Sequence, residues 1–145
     1  MALKAAMWVH GTIVEAENAV NFVSRKGWGA TFGGQNTFNW FHIPITTPVI
    51  LDDIRPQLVK VFVFYRTNGA VIRNLHIWDA ATRVKVFDNL NLSGDHSRGI
   101  DASNSWVIAP PLGIAFGLGI SVGVQFLIDP GDILFTSAGA DFQRP

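Results

Sequence analysis

The chain has 145 residues, of which 48% are hydrophobic and 15% charged, and it contains no cysteine. Eleven Lys and Arg balance eleven Asp and Glu, a formal net charge of zero, which argues against a nucleic-acid binder because phosphate neutralisation needs a basic footprint. The apolar content argues against disorder, the missing thiols remove disulfides, a cysteine nucleophile and Cys-ligated zinc, and the length predicts one domain over residues 1–145.

Val, Ile and Thr number 35 and the aromatics 17, whereas Glu occurs only at Glu15 and Glu17. Such side chains suit a pleated, half-buried surface, and 14 Gly with 7 Pro supply turns. In chain order, strands are predicted over 8–14, 20–24, 28–32 and 37–43, the last closed by Pro44. Ala16, Ala19, Val20 and Val23 also fit a helical period, so a short helical turn is the alternative for the second strand. Residues 58–66 are apolar on both faces, as in a central strand. Thr67-Asn68-Gly69 then predicts a hairpin into 71–79. Further strands are expected over 82–87, 105–109 and 133–137. A strand every 8 to 15 residues with intervening turns predicts an all-β sandwich or jelly roll of about eight to ten mostly antiparallel strands.

Leu112 to Ile128 is the most informative stretch. Its even positions are large and apolar, from Leu112 through Ile114, Phe116 and Leu118 to Ile128. Its odd positions are mostly small: Gly113, Ala115, Gly117, Gly119, Ser121 and Gly123. A period of two is the strand period. A transmembrane helix would scatter this alternation over all its faces, and the run is short and lacks flanking Lys or Arg. A pore-forming hairpin would need a polar lumen face, and the small face here is Gly and Ala. The favoured reading is one bent strand, or two strands joined at Gly117 to Gly119. Its bulky side fills the core and its small side lies under another sheet, a neighbouring subunit or a flat ligand.

The low charge leaves a weakly polar surface, from which a homo-oligomer is expected. Residues 1–6 do not form a convincing leader, so a cytoplasmic protein, or one exported without a cleaved leader, is expected.

No pair among His10, His42, His76 and His96 has metal-ligand spacing, so no metal site is assigned. The polar stretch from Asp88 to Ser105 is long enough to be functional. Asn89, Asn91, Ser93 and Gly94 imitate the first half of a calcium loop, but Ile100 occupies the position of the bidentate Glu, so calcium is the one cofactor considered. Asp95, His96 and Ser97 are consecutive and point apart on an extended chain, so they form no local triad. His96 with Asp79 or Asp101 is a candidate acid–base pair.

On 71–79, Asn74, His76 and Trp78 share one face, with Val71, Leu75 and Ile77 on the expected core face, a pattern that Arg73 breaks. On 37–43, Phe38, Trp40 and His42 align likewise. Flat aromatics beside amide and imidazole groups can stack on a sugar ring and bond its hydroxyls. The leading expectation is therefore a non-catalytic, ligand-binding sandwich, lectin-like in its carbohydrate recognition. Asn74, His76, Trp78, Asp95, His96 and Arg98 are its candidate site. A self-assembling structural protein is the first alternative. A hydrolase or metal enzyme using His76, His96 and Asp95 is the second.

Overall fold

The computed structural model describes residues 2–145. The strands are β1 (Leu3–His10), β2 (Glu15–Ala16), β3 (Phe22–Lys26), β4 (Gly29–Gly34), β5 (Thr37–Ile45) and β6 (Gln57–Asn68). They continue with β7 (Ala70–Asp79), β8 (Thr82–Phe87), β9 (Asp95–His96), β10 (Ser105–Gly113), β11 (Leu118–Phe126) and β12 (Gly131–Gln143). The chain is an all-β sandwich of two antiparallel sheets, with no α-helix among the described residues. One sheet runs β10-β6-β12-β4-β3, with β1 on β12 and β9 on β6. The other runs β2-β5-β11-β7-β8.

The strand count exceeds the expected eight to ten because β2 and β9 are two-residue pairings that no local pattern signals. The helical alternative around Ala16 to Val23 is not realised. A 3₁₀ turn instead interrupts the expected strand 8–14 at Gly11–Ile13, where His10 Nδ1 accepts from the Thr12 N–H at 3.1 Å. Packing of that turn on β12 requires Gly11, because a Cβ there would lie 2.0 Å from the Phe135 carbonyl oxygen.

The 112–128 stretch divides between two strands. Its first two residues finish β10, its central part is β11, and the two are joined through residues 114–117. The joint is held by Asp79, whose carboxylate accepts from the N–H groups of Ala115 (2.9 Å), Phe116 (2.9 Å) and Gly117 (3.2 Å). Burial pushes the Asp79 carboxyl up, but these three donors outweigh it and leave it below the ordinary carboxylate range. No described helix is long and apolar enough to cross a membrane.

In β11 the bulky side chains Leu118, Ile120, Val122, Val124 and Phe126 are all buried. They meet Phe41 and Ile43 of β5, Ile72, Leu75 and Ile77 of β7, and the inner residues of the opposite sheet, including Phe32, Val61, Tyr65 and Phe135. Each such side chain contributes about 1.5–3 kcal/mol on burial. The core face of β7 differs from the expected one. A register shift between the partners of Gly123 and Val124 places Asn74 opposite the first and Ile72 opposite the second. Arg73 is the extra residue of this bulge, so parity changes there, and Ile72 rather than Val71 joins Leu75 and Ile77 inside.

Replacing Gly11 by Ala must displace backbone and is expected to cost at least about 2 kcal/mol. Gly113→Ala, whose Cβ would have nothing within 4 Å, should change stability by less than about 0.5 kcal/mol. Urea unfolding of the two variants measures the difference, and equal midpoints would contradict the close packing at Gly11.

Candidate functional site

Both neighbours of β11 are antiparallel to it and paired without interruption from Leu118 to Gly123, so its small face becomes the middle column of a grid there. Ser121 lies between His42 and His76, Gly119 between Pro44 and Trp78, and Gly123 between Trp40 and Asn74. All these side chains rise from the outer face of the five-stranded sheet, because their neighbours along each strand are committed to the core. The small column therefore forms a floor, with larger side chains as walls.

At one end the floor is covered. A Cβ on Gly123 would lie 2.7 Å from Phe38 Cζ and 2.8 Å from Asn74 Oδ1. The Trp40 and His76 rings meet across the central strand, with centroids 4.8 Å apart, and Phe38 packs edge-on against Trp40 at 5.5 Å. At the other end the floor is open. A Cβ on Gly119 would meet only Trp78 Cβ, at 3.8 Å, and one on Gly117 would meet nothing within 4 Å. The resulting groove has a volume of about 950 Å³ and is walled by Ile13, Pro44, Ile45, Trp78 and Ala81. A polar niche of about 220 Å³ adjoins it, lined by Glu17, Trp40, His42, His76, Arg83 and Ser121. Trp78, His42 and Ser121 border both.

The polar groups are held by one another. His42 Nδ1 lies 2.8 Å from Ser121 Oγ, and its Nε2 lies 2.8 Å from Glu17 Oε1. Glu17 is positioned by its own backbone N–H, which donates to the Trp40 carbonyl at 2.8 Å. Asn39 fastens the same segment by accepting from the Asn18 N–H and donating to the Asn18 carbonyl. On the other wall, Asp88 Oδ1 accepts from Asn74 Nδ2 and lies against His76 Nε2, both at 2.8 Å. These bonds, from His76 first and then Asn74, hold the Asp88 carboxyl below the ordinary range. Arg83 also lines the niche, and its positive charge helps to hold the Asp88 carboxyl low.

Of the six residues expected from sequence, Asn74, His76 and Trp78 lie together on this face. Asp95, His96 and Arg98 do not join them, because β9 pairs with β6 in the other sheet and the three residues border a separate, shallow pocket of about 310 Å³. His76 and His96 each have their own carboxylate, Asp88 and Asp101, and the Asp79 considered as a partner for His96 instead caps residues 115–117. Glu17, Arg83, Asp88 and Ser121 were not anticipated. Ser121 had a visible signal as the single hydroxyl in a column of Gly and Ala, and His42 shared the parity of Trp40. No local pattern marked Glu17, Arg83 or Asp88.

The 88–105 stretch is tied to β7 through Leu90 and Leu92, and its second half is bonded largely within itself. The fully buried Asn104 donates to the carbonyls of His96 (3.1 Å) and Gly99 (2.7 Å) and accepts from the Asp101 N–H (2.8 Å). Asp95 accepts from Ser97, which holds its carboxyl low. Asn91 accepts from Arg73 at 2.9 Å, so this part of the calcium-like run is also engaged within the protein. No group of three or more His, Asp or Glu able to hold a metal ion occurs among the described residues.

His96 Nδ1 lies 2.8 Å from Asp101 Oδ2 and its Nε2 lies 3.0 Å from the Ser93 carbonyl. Both partners only accept, so the protonated ring satisfies both. The Asp101 bond raises the His96 pKa above 6.5, against the opposing effect of burial. Asp101 is pushed up by burial but pulled below 3.8 by His96 and the Ser103 N–H. The pair therefore stabilises the loop fully between those two ordinary values. It is lost as pH rises through the raised His96 value, and again as pH falls through the lowered Asp101 value. The urea midpoint of the wild type should fall on the alkaline side, by less than about 1 kcal/mol of stability. His96→Ala should lose that alkaline step, and an unchanged step in this variant would refute the assignment.

Comparison with curated proteins finds no match to this chain. Residues 2–133, which include both cavities on the outer face, match the model of DUF6623, a family of unknown function, and the chain belongs to that family.

Proposed function

We propose that the outer face of the five-stranded sheet binds a small saccharide, with the ring seated over Gly119 and Ser121 against Trp78. The observation that carries this reading is the open floor beside an indole, ending in a niche of hydrogen-bonding groups. An apolar wall with a few directed polar groups is the general form of a small-ligand site. The indole supplies a flat face for the C–H side of a sugar ring. Glu17 accepts hydrogen bonds, Arg83 donates them and the imidazoles do either, which suits a rim of hydroxyls that both donate and accept. The pairings of His42 with Glu17 and His76 with Asp88 limit the side-chain ordering that binding would require.

A second reading, assembly into a homo-oligomer, is favoured by β3. This strand ends the seven-stranded sheet, and Phe22 (53%), Val23 (48%) and the adjoining Trp28 (63%) are exposed there. An edge strand offers unpaired backbone groups to a second copy, and these side chains add apolar area to such a contact.

Titration with a glycan library, followed by tryptophan fluorescence or NMR shifts, tests the binding reading. Trp78→Ala should weaken binding about tenfold or more, equivalent to about 1.4 kcal/mol. Gly119→Val should abolish it while leaving the melting temperature nearly unchanged, because the added side chain enters open groove. Binding that survives both substitutions would place the ligand elsewhere, and absence of any glycan ligand for the folded protein would end the saccharide reading.

Light scattering over a range of concentrations tests assembly. The wild type should associate and Phe22→Asp should be monomeric. A wild type that is monomeric throughout would refute the edge contact.

A further inference from the structure

Ser121, His42 and Glu17 form a continuous hydroxyl–imidazole–carboxylate chain, with both links at 2.8 Å. They come from three separate parts of the sequence: β11, β5 and the segment after β2. Ser121 is 5% exposed, yet it borders both the apolar groove and the polar niche. From these positions we propose that Ser121 is a nucleophile and that the protein hydrolyses a carboxylic ester of the ligand bound on this face. The substrate class is an acylated sugar, with its short acyl chain in the groove beside Pro44 and Ile45 and its ring in the niche. The choice of sugar ester rests on the saccharide reading, whereas the reactivity of Ser121 does not.

The Glu17 carboxylate can only accept, so in the neutral His42 ring the proton sits on Nε2 and the lone pair on Nδ1. Ser121 Oγ–H then donates to Nδ1, which is the arrangement that activates a hydroxyl. The constellation is defined by these roles and not by sequence order. Ser121 Oγ attacks the ester carbonyl carbon as its proton passes to His42 Nδ1. The C–O bond forms and the carbonyl π pair moves onto oxygen. Arg83, which lines the same niche as Ser121, supplies the positive charge for that oxyanion. Collapse restores the carbonyl, expels the alcohol oxygen with the proton held on His42, and leaves an acyl ester on Ser121. Water then gives a proton to His42 and attacks the acyl carbon. Collapse releases the carboxylic acid and returns the proton to Ser121. The net reaction is ester plus water to acid plus alcohol, with no redox partner.

Glu17 touches no substrate atom in this scheme. It is a positioning residue that fixes the His42 tautomer and stabilises the charged ring formed during the transfer.

The experiment treats the full-length wild-type chain with a fluorophosphonate probe and locates the adduct by mass spectrometry. It then follows hydrolysis of p-nitrophenyl butyrate and of acetylated monosaccharides. The adduct is expected on Ser121. Ser121→Ala should abolish hydrolysis, and Glu17→Gln should lower kcat about a hundredfold with KM little changed, together with an altered pH profile. An unlabelled wild-type chain, an adduct elsewhere, or hydrolysis that persists in Ser121→Ala would overturn the proposal. The wild-type adduct answers the question even if a variant fails to fold. Labelling at Ser121 with butyrate turnover but no glycan binding would retain the nucleophile and discard the sugar. Glycan binding without labelling would do the reverse.

Discussion

The organising constraint in this protein is the two-sided character of β11. One side must be bulky, because it fills the sandwich at the middle of the five-stranded sheet, and the other must be small, because side chains from β5 and β7 lean over it from both sides. Ile120, Val122 and Val124 are fully buried on the first side. On the second, Gly123 lies so close beneath Phe38 and Asn74 that a methyl group there would have to displace them. Packing on both faces fixes the register, since a slip by one residue would present the bulky side chains to the outer layer and the glycines to the core. The register in turn brings His42, Ser121 and His76 into one row.

The outer layer is not uniform along this strand, and the site follows from that. Where the aromatic side chains reach across, over Gly123, the floor is closed by contacts within the protein. Beyond Ser121 the wall on one side is Pro44, too short to reach across, and the groove stays open. Asp79 secures the open end by binding three consecutive backbone N–H groups of the turn that leads into β11. A carboxylate with three such donors is strongly held, so the groove floor begins from a fixed point.

The long polar loop illustrates how a segment rich in potential ligands can be structural. Asn104, Asp95, Asp101 and His96 bond one another and the loop backbone. Buried polar groups require such partners, and the loop supplies them from within itself. Asp95, His96 and Arg98 consequently stand apart from the cluster that lines the groove and niche, whereas Asp88, at the start of the stretch, bonds His76 and Asn74 there.

Much of the fold was legible in the chain. The all-β class, the division of 112–128 near Gly117 and the shared faces of Phe38–Trp40–His42 and Asn74–His76–Trp78 follow from local alternation, because successive Cβ atoms on a strand point to opposite sides whatever the strand pairs with. The bulge at Arg73, the turn at Gly11–Ile13, the assignment of β9 to the opposite sheet and the meeting of Glu17, His42, Ser121 and Arg83 were decided only by the tertiary structure. These depend on which strand hydrogen-bonds to which, a choice among distant segments made by the packing of the whole core. A period of two carries the face of a residue but not its neighbour.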